Sequence, residues 1–275
     1  MTMSPQNTDP ELVQACETRL VNAWPSFENQ LAEGWVLRFA GGYSKRANAC
    51  SPLRPGCRLD DELIDHVVAQ YLAHKIRPVF RLTSLEAPGT DALLERRGFE
   101  LYDPSYGMVA PLGADHLPNP EVEIAERPST AWVTEIASAY GGDKADDALL
   151  MRIVSLIRQR AGFATIALDE RSVAWGLGVV ERGFVGLFDI VVLPDFRGLG
   201  LSRTIVNALL GWGRQGGAHT AYLQVREENE VARALYRSLG FTDAYRYTHR
   251  RAPVETVKAL LRAAEPRRPD APSRR

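Results

Sequence analysis

Apolar and polar positions along the second half of the chain switch between the two-residue alternation of a half-buried strand and the longer period of a helix face. Glu121 to Arg127 reads as a strand, Thr130 to Tyr140 and Asp146 to Arg158 as helices, and Phe163 to Leu168 as a further strand. Ser172 to Val180 and Val185 to Leu193 are rich in Val, Ile, Leu and Phe and are broken at Glu181, Arg182 and Gly183, the pattern of a β-hairpin. Ile205, Leu209 and Trp212 then fall on one face of a helix that stops near Gly216-Gly217. Ala221 to Val225 reads as a buried strand. Asn229 is placed to cap a helix whose Val231, Leu235 and Leu239 form an apolar stripe facing the core, closed by Gly240 with Phe241 packing back.

The first half carries a fainter copy of this pattern. Pro52 and Pro194, Gly56 and Gly198, Ala92 and Ala234, Gly98 and Gly240, and Phe99 and Phe241 all differ by 142 positions, which argues for duplication. At that offset a helix over Asp60 to Ala73, a strand over Pro78 to Leu82 and a helix over Asp91 to Arg97 fall on their counterparts in order. Pro111 to Pro120 holds three prolines and Gly113 among polar residues, and can extend neither a helix nor a central strand. The expected organisation is a first domain over residues 1–112, a linker over 113–120, a second domain over 121–252, and a disordered tail from Arg262 to Arg275 that is rich in Pro, Arg and Ala.

Composition narrows the class. The 275 residues suffice for two domains of ordinary size, and 33 basic against 34 acidic side chains leave no excess field to draw nucleic acid or anionic lipid. Cys16, Cys50 and Cys57 lack the close Cys/His pairs of a zinc site and read as free thiols. No apolar run reaches the roughly 20 residues of a membrane span, and the polar start from Met1 to Asp9 lacks a signal-peptide core, so a cytoplasmic location is expected. His66 and His74 lie too far apart along a helix to share a metal ion and read as surface residues; no metal is expected.

The candidate chemistry follows the strand Phe188 to Leu193. Pro194 ends the ladder, and Asp195-Phe196-Arg197-Gly198-Leu199-Gly200-Leu201-Ser202-Arg203 leads into a helix. A glycine-bearing turn that feeds a helix N-terminus leaves backbone N–H groups free at the positive end of the helix dipole, which attracts a pyrophosphate. Gly198 and Gly200 let the backbone approach a ligand, and Arg197 and Arg203 add positive charge beside it. A Walker loop would need a Gly-Lys-Ser/Thr ending, and a dinucleotide fingerprint a third glycine where Arg203 stands; this chain has neither.

Ile190 to Arg203, the strand Ala221 to Val225, and Asn229 to Phe241 together resemble the GCN5-related N-acetyltransferase (GNAT) family, over Glu121 to Arg251. The family's pyrophosphate motif runs Arg or Gln, two residues, Gly, one residue, then Gly or Ala. Here it is met at Arg197 and Gly200, with Ser202 as the departure; a serine is small enough to pass the phosphate, and its hydroxyl can donate to it. The resemblance implies an α/β fold with a mixed, largely antiparallel sheet flanked by helices, here as two GNAT-like domains in tandem. It implies acetyl-CoA as co-substrate, held by Arg197, Gly198, Leu199, Gly200, Leu201, Ser202 and Arg203. It further implies that the backbone of Ile190, Val191 and Val192 runs along the pantetheine arm with one N–H polarising the thioester carbonyl, that Asn229 contacts that arm, and that Tyr236 protonates the departing thiolate.

The family's general base does not carry over. One branch's glutamate position holds Gln224, and the other's, around Val185, Gly186 and Leu187, has no carboxylate. Asp189, on the strand edge beside the reacting carbonyl, can take the amine proton directly or through water, bind the cationic substrate, or only anchor a neighbouring backbone. Glu227 and Glu228 read as a solvated loop face.

In the first half, Pro55, Arg58, Asp60 and Leu94 stand opposite Arg197, Gly200, Ser202 and Tyr236, and Asp60, Asp61 and Glu62 put three carboxylates where a pyrophosphate would sit. One domain is therefore expected to bind CoA while the other completes a substrate pocket, an analogy with tandem GNAT members that have one silent half. Gly34 to Asn48 is the candidate lining through Trp35, Arg38, Tyr43, Arg46 and Asn48; the alternative has Trp35 and Phe39 in the core and the arginines solvated. The expected activity is acetyl transfer from acetyl-CoA to the primary amine of a small molecule by direct attack. A protein lysine or N-terminus as acceptor, or a CoA-binding module without turnover, are the alternatives.

Overall fold

The computed structural model describes residues 9–255 and 257, so the expected tail lies outside the described residues. The first half comprises α1 (Pro10–Ala23), β1 (Glu28–Ala32), β2 (Trp35–Phe39), β3 (Ser51–Pro52), α2 (Asp61–Ala73), β4 (Val79–Leu82), α3 (Thr90–Arg96) and β5 (Glu100–Pro111). The second comprises β6 (Glu123–Ala125), α4 (Thr130–Ala139), α5 (Lys144–Ser155), β7 (Arg160–Leu168), β8 (Arg171–Glu181), β9 (Phe184–Val192), α6 (Leu201–Gln215), β10 (Thr220–Arg226), α7 (Glu230–Ser238) and β11 (Thr242–Arg251). Residues 112–122 form neither helix nor strand, as their prolines dictate. None of the described helices is long and apolar enough to cross a membrane.

Eight strands make one sheet in the order β4-β11-β5-β10-β9-β8-β7-β6, and β1, β2 and β3 make a second. Within the larger sheet every pairing is antiparallel except β9 with β10. The final strand of each half is exchanged: β5 lies between β10 and β11, and β11 lies between β4 and β5. At the offset of 142, α2, β4, α3 and β5 overlap α6, β10, α7 and β11. Helix α1 also crosses the chain's midpoint. Its Val13, Cys16, Leu20 and Trp24 share a core with Trp132, Ile136, Phe163, Trp175, Phe188 and Tyr222. Arg19 donates to the carbonyls of Glu181 and Arg182 in the β8–β9 turn, and Asn22 donates to the Glu181 carboxylate. The linker thus divides the sequence, while packing interleaves what lies on either side of it.

The apolar face Ile205, Leu209 and Trp212 of α6 is buried on the sheet, as its spacing predicts. Close approach depends on Gly176 in β8, where an added Cβ would stand 2.6 Å from Ile205 Cγ2 and 2.9 Å from Ile190 Cδ1. Gly176→Ala is expected to cost about 1–3 kcal/mol through overpacking, a fall in Tm of roughly 5 °C measurable by calorimetry; an unshifted Tm would mean that α6 rides looser on the sheet than this contact implies.

Helix α7 departs from expectation. Val231 is 84% exposed, and the side chains turned to the core are Tyr236, with Ala232 and Leu239 partly buried beside it. The buried stripe therefore starts one residue later than an alignment on Val231, Leu235 and Leu239 suggests, because β10 and Phe241 meet the helix on the Tyr236 side. His66 is exposed, whereas His74 caps α2, stacks on Phe39 at 3.8 Å and pairs with Glu28. All three cysteines are free and buried, and burial, above all, pushes the Cys16 thiol up to about 12.

Candidate active site

Strands β9 and β10 run together from Phe184/Thr220 to Leu187/Leu223 and then part. Beyond Leu187, β9 has no strand partner on that side, while β10 continues to Arg226 against β5. The cause lies in β9 itself. Opposite Gly176 the β8–β9 register slips, and Asp189 takes the left-handed conformation with φ of 48°. A bulge of this kind bends and twists its strand and re-aims the side chain at the bulge. The backbone of Ile190, Val191 and Val192 thereby borders an open notch in the sheet.

The turn after β9 ends beside that notch. Gly198 and Gly200 both adopt positive φ, 82° and 78°, with open space where a Cβ would project. Gly200 is the N-cap of α6 and supplies no side-chain acceptor. Among the described residues, the N–H groups of Gly198, Leu199, Gly200, Leu201, Ser202 and Arg203 meet no protein acceptor, and the first helical bond is Thr204 N–H to the Gly200 carbonyl. Arg197 donates from Nε to the Val192 carbonyl at 3.4 Å, and Arg203 to the Ser238 hydroxyl at 2.8 Å. A fan of open amides at a helix start, edged by two guanidinium groups, fits a diphosphate. Helix α2, at the offset of 142, starts differently: the Asp60 carboxylate caps it by accepting from Leu63 N–H. Asn229 caps α7, its Oδ1 accepting from Ala232 N–H at 3.1 Å, and its Nδ2 meets no acceptor among the described residues.

Asp189 is 7% exposed and lies 3.8 Å from Arg46 Nη1 and 3.5 Å from the Tyr140 hydroxyl. Burial raises its carboxyl pKa above the usual aspartate value, with Arg46 and Tyr140 pulling the other way. Burial raises the phenols of Tyr43 and Tyr140, the charge of Asp189 adding to the rise and that of Arg46 opposing it. Tyr236 is buried, and burial pushes its phenol up to about 12 against the nearby charge of Arg46. Its hydroxyl bonds to no protein group among the described residues, yet is not sealed from solvent. A protonated phenol and a proton-hungry carboxylate beside an open strand edge constitute a donor and an acceptor for general acid–base chemistry.

The lining expected between Gly34 and Asn48 is met only in part. Arg46 comes within 3.8 Å of Asp189 and Tyr43 lies within electrostatic range of it, whereas Trp35, Arg38 and Asn48 are buried and structural. Trp35 donates to the Arg58 carbonyl, and Arg38 donates to the carbonyls of Val21, Trp24 and Arg46. Asn48 Oδ1 accepts from the N–H groups of Ala40 and Gly42. Tyr140 carried no signal in the sequence, being only the residue after a helix and before Gly141. Gln224 binds the Glu17 carboxylate of α1 through Nε2 at 3.2 Å, so the first half places a carboxylate beside the family's vacated glutamate position, but one engaged at both oxygens by Arg81. Glu227 is not a free loop residue, for it accepts from Tyr106 and pairs with Arg246. Among the described residues no group of three or more His, Cys, Asp and Glu is placed to hold a metal ion.

The family model described as "Probable histone acetyltransferase Rv0428c C-terminal" matches residues 12–250. The N-acetyltransferase YobR of Bacillus subtilis is 24% identical over 243 residues, spanning 86% of this chain and 98% of its own length. The mycothiol acetyltransferase of Nocardiopsis dassonvillei is 32% identical over 158 residues, 48% of each chain. In structure, a GCN5-related N-acetyltransferase from Kribbella flavida aligns with a TM-score of 0.64 at 16% identity, over 88% of this chain and 96% of that one, a likeness of fold. The protein belongs to the family of that Rv0428c C-terminal model and is an N-acetyltransferase of the GNAT type.

Proposed function

We propose that the chain moves the acetyl group of acetyl-CoA to the primary amine of a small molecule by direct attack. One observation carries this reading: β9 parts from β10 beyond Leu187, the amides of Gly198 to Arg203 that follow β9 are open, and Asp189 and Tyr236 both lie within electrostatic range of Tyr140. Residues 197–203 hold the coenzyme's diphosphate, Asn229 contacts its arm, and an N–H of Ile190, Val191 or Val192 donates to the thioester oxygen. Charge grows on that oxygen as the amine attacks, so a fixed donor there favours the transition state over the ground state. Asp189 removes the amine proton, and Tyr236 donates to the departing sulfur. The acetyl thioester itself is what acetyl-CoA supplies.

We further propose that residues 1–112 and 121–252 descend from one duplicated unit and that only the second binds the coenzyme. The matched element order and the Asp60 cap on α2 support this. A small acceptor is favoured because the 40–48 loop brings Arg46 to 3.8 Å from Asp189 and Tyr43 within electrostatic range of it, leaving less of the open groove that a protein chain needs. The name of the matched family model keeps a protein lysine as the second reading.

Calorimetric titration with acetyl-CoA, followed by thiol release with a panel of amines, tests the proposal; no affinity for the coenzyme would end it. Tyr236→Phe is expected to lower kcat by about 10–100-fold with coenzyme affinity retained, and unchanged turnover would remove Tyr236 from the mechanism.

A further inference from the structure

We propose that the acceptor is an amine bearing a carboxylate on the adjacent carbon, as in a free α-amino acid, with its ammonium on Asp189 and its carboxylate on Arg46. The inference rests on the acetyltransferase reading above and adds the acceptor's chemical class.

Arg46 is held from two sides. Its backbone carbonyl accepts from the buried Arg38, and its guanidinium lies over the rings of Trp24 and Phe188, at 5.5 and 6.0 Å. Yet the guanidinium donates no hydrogen bond within the described residues, and its side chain is 30% exposed. The separation of 3.8 Å from Asp189 Oδ1 exceeds hydrogen-bond reach, so each group keeps capacity for a ligand. A zwitterion set against the pair closes a ring of alternating charge: Arg46, Asp189, ammonium, carboxylate. Every neighbour in that ring is of opposite sign. A bare amine would instead put a second cation beside Arg46 with only the shared Asp189 carboxylate to offset the two, leaving a net positive charge. Arginine also presents a planar fork that matches a carboxylate.

The chemistry balances. Asp189 takes one ammonium proton and passes it to solvent, and the freed lone pair forms the N–C bond. As the C–S bond breaks, the nitrogen sheds a second proton. The sulfur leaves as a thiol with the Tyr236 proton, which water restores from the nitrogen. The products are an N-acetylated amino acid, CoA thiol and one proton. Acetylation removes the ammonium charge and with it the attraction to Asp189, which favours release.

The test uses the full chain with acetyl-CoA and a thiol readout. Amino acids are compared with their decarboxylated amines, such as phenylalanine with phenethylamine and leucine with isoamylamine, and with the amino acid amides. At least one acid is expected to exceed its decarboxylated amine by about 100-fold in kcat/KM. Arg46→Gln is expected to raise KM for that acid about tenfold or more and to collapse the ratio, with Arg46→Lys keeping part of it. Coenzyme titration of each variant reports that it is folded. Equal turnover of acids, amides and amines, or a loss in Arg46→Gln shared equally by acid and amine, overturns the inference. Acetylation of lysine peptides with all amino acids inert also overturns it but leaves the acetyltransferase reading standing. Absence of both coenzyme binding and thiol release sinks the two together.

Discussion

Asp189→Asn is expected to lower kcat/KM for acetyl transfer by about 10²–10⁴-fold while the protein still binds acetyl-CoA. The substitution is unusually clean. Asparagine is among the residues that best tolerate the left-handed backbone found at position 189, so the bulge that opens the notch should persist. Stability should not fall either. Burial raises this carboxyl's pKa, so the folded state holds the proton more tightly than the unfolded chain. The associated stability is full below the unfolded pKa and is lost as pH rises through the raised folded value. Above that raised value the parent has lost it, and asparagine does not incur the loss. The partly exposed Arg46 at 3.8 Å gives back little. The acid limb of kcat/KM against pH in the parent should lie above the usual aspartate value and vanish in the variant. Undiminished turnover would reduce Asp189 to an anchor for the strand.

The second large effect concerns stability. Arg81 of β4 meets both oxygens of Glu17 in α1, at 2.8 Å each, with both side chains buried. Tyr245 of β11 and Gln224 of β10 donate to the same carboxylate, and the Tyr247 ring lies 3.6 Å from the guanidinium. Arg81→Met would leave the carboxylate buried without its counter-charge, at a cost of about 3–5 kcal/mol, or roughly 10 °C in Tm. A double variant, Glu17→Leu with Arg81→Met, should recover most of the loss, since a buried pair replaced whole by apolar residues is near neutral. A double variant as unstable as the single one would show that the cluster's worth lies elsewhere than in the pair. Because the cluster joins α1 and β4 to β10 and β11, its loss should also loosen the strand exchange beside the notch.

Much of the site could be read from spacing. The turn Arg197 to Arg203, the face Ile205, Leu209 and Trp212, and the cap at Asn229 all depend on residues a few positions apart, whose geometry a helix or turn imposes locally. The stripe on α7 was misplaced by one residue because a helix of nine residues, with apolar side chains on more than one side, acquires its buried face from its neighbours. Arg46 was legible as a candidate pocket-lining residue and Tyr140 only as a helix-end tyrosine, and nothing within either segment points to Asp189.

The amino-acid sequence by itself determined the elements, the glycine turn at the start of α6 and the acid and base candidates, since backbone propensity, apolar period and capping act over one or two helical turns. Tertiary structure alone decided the exchange of β5 and β11, the burial of α1 in the other half's core, and the meeting of Arg46 with Asp189. The reason is physical: an unpaired strand edge offers the same N–H and C=O groups to any partner, so which strands pair, and which distant side chains then face each other, follows from how the whole chain buries its apolar surface.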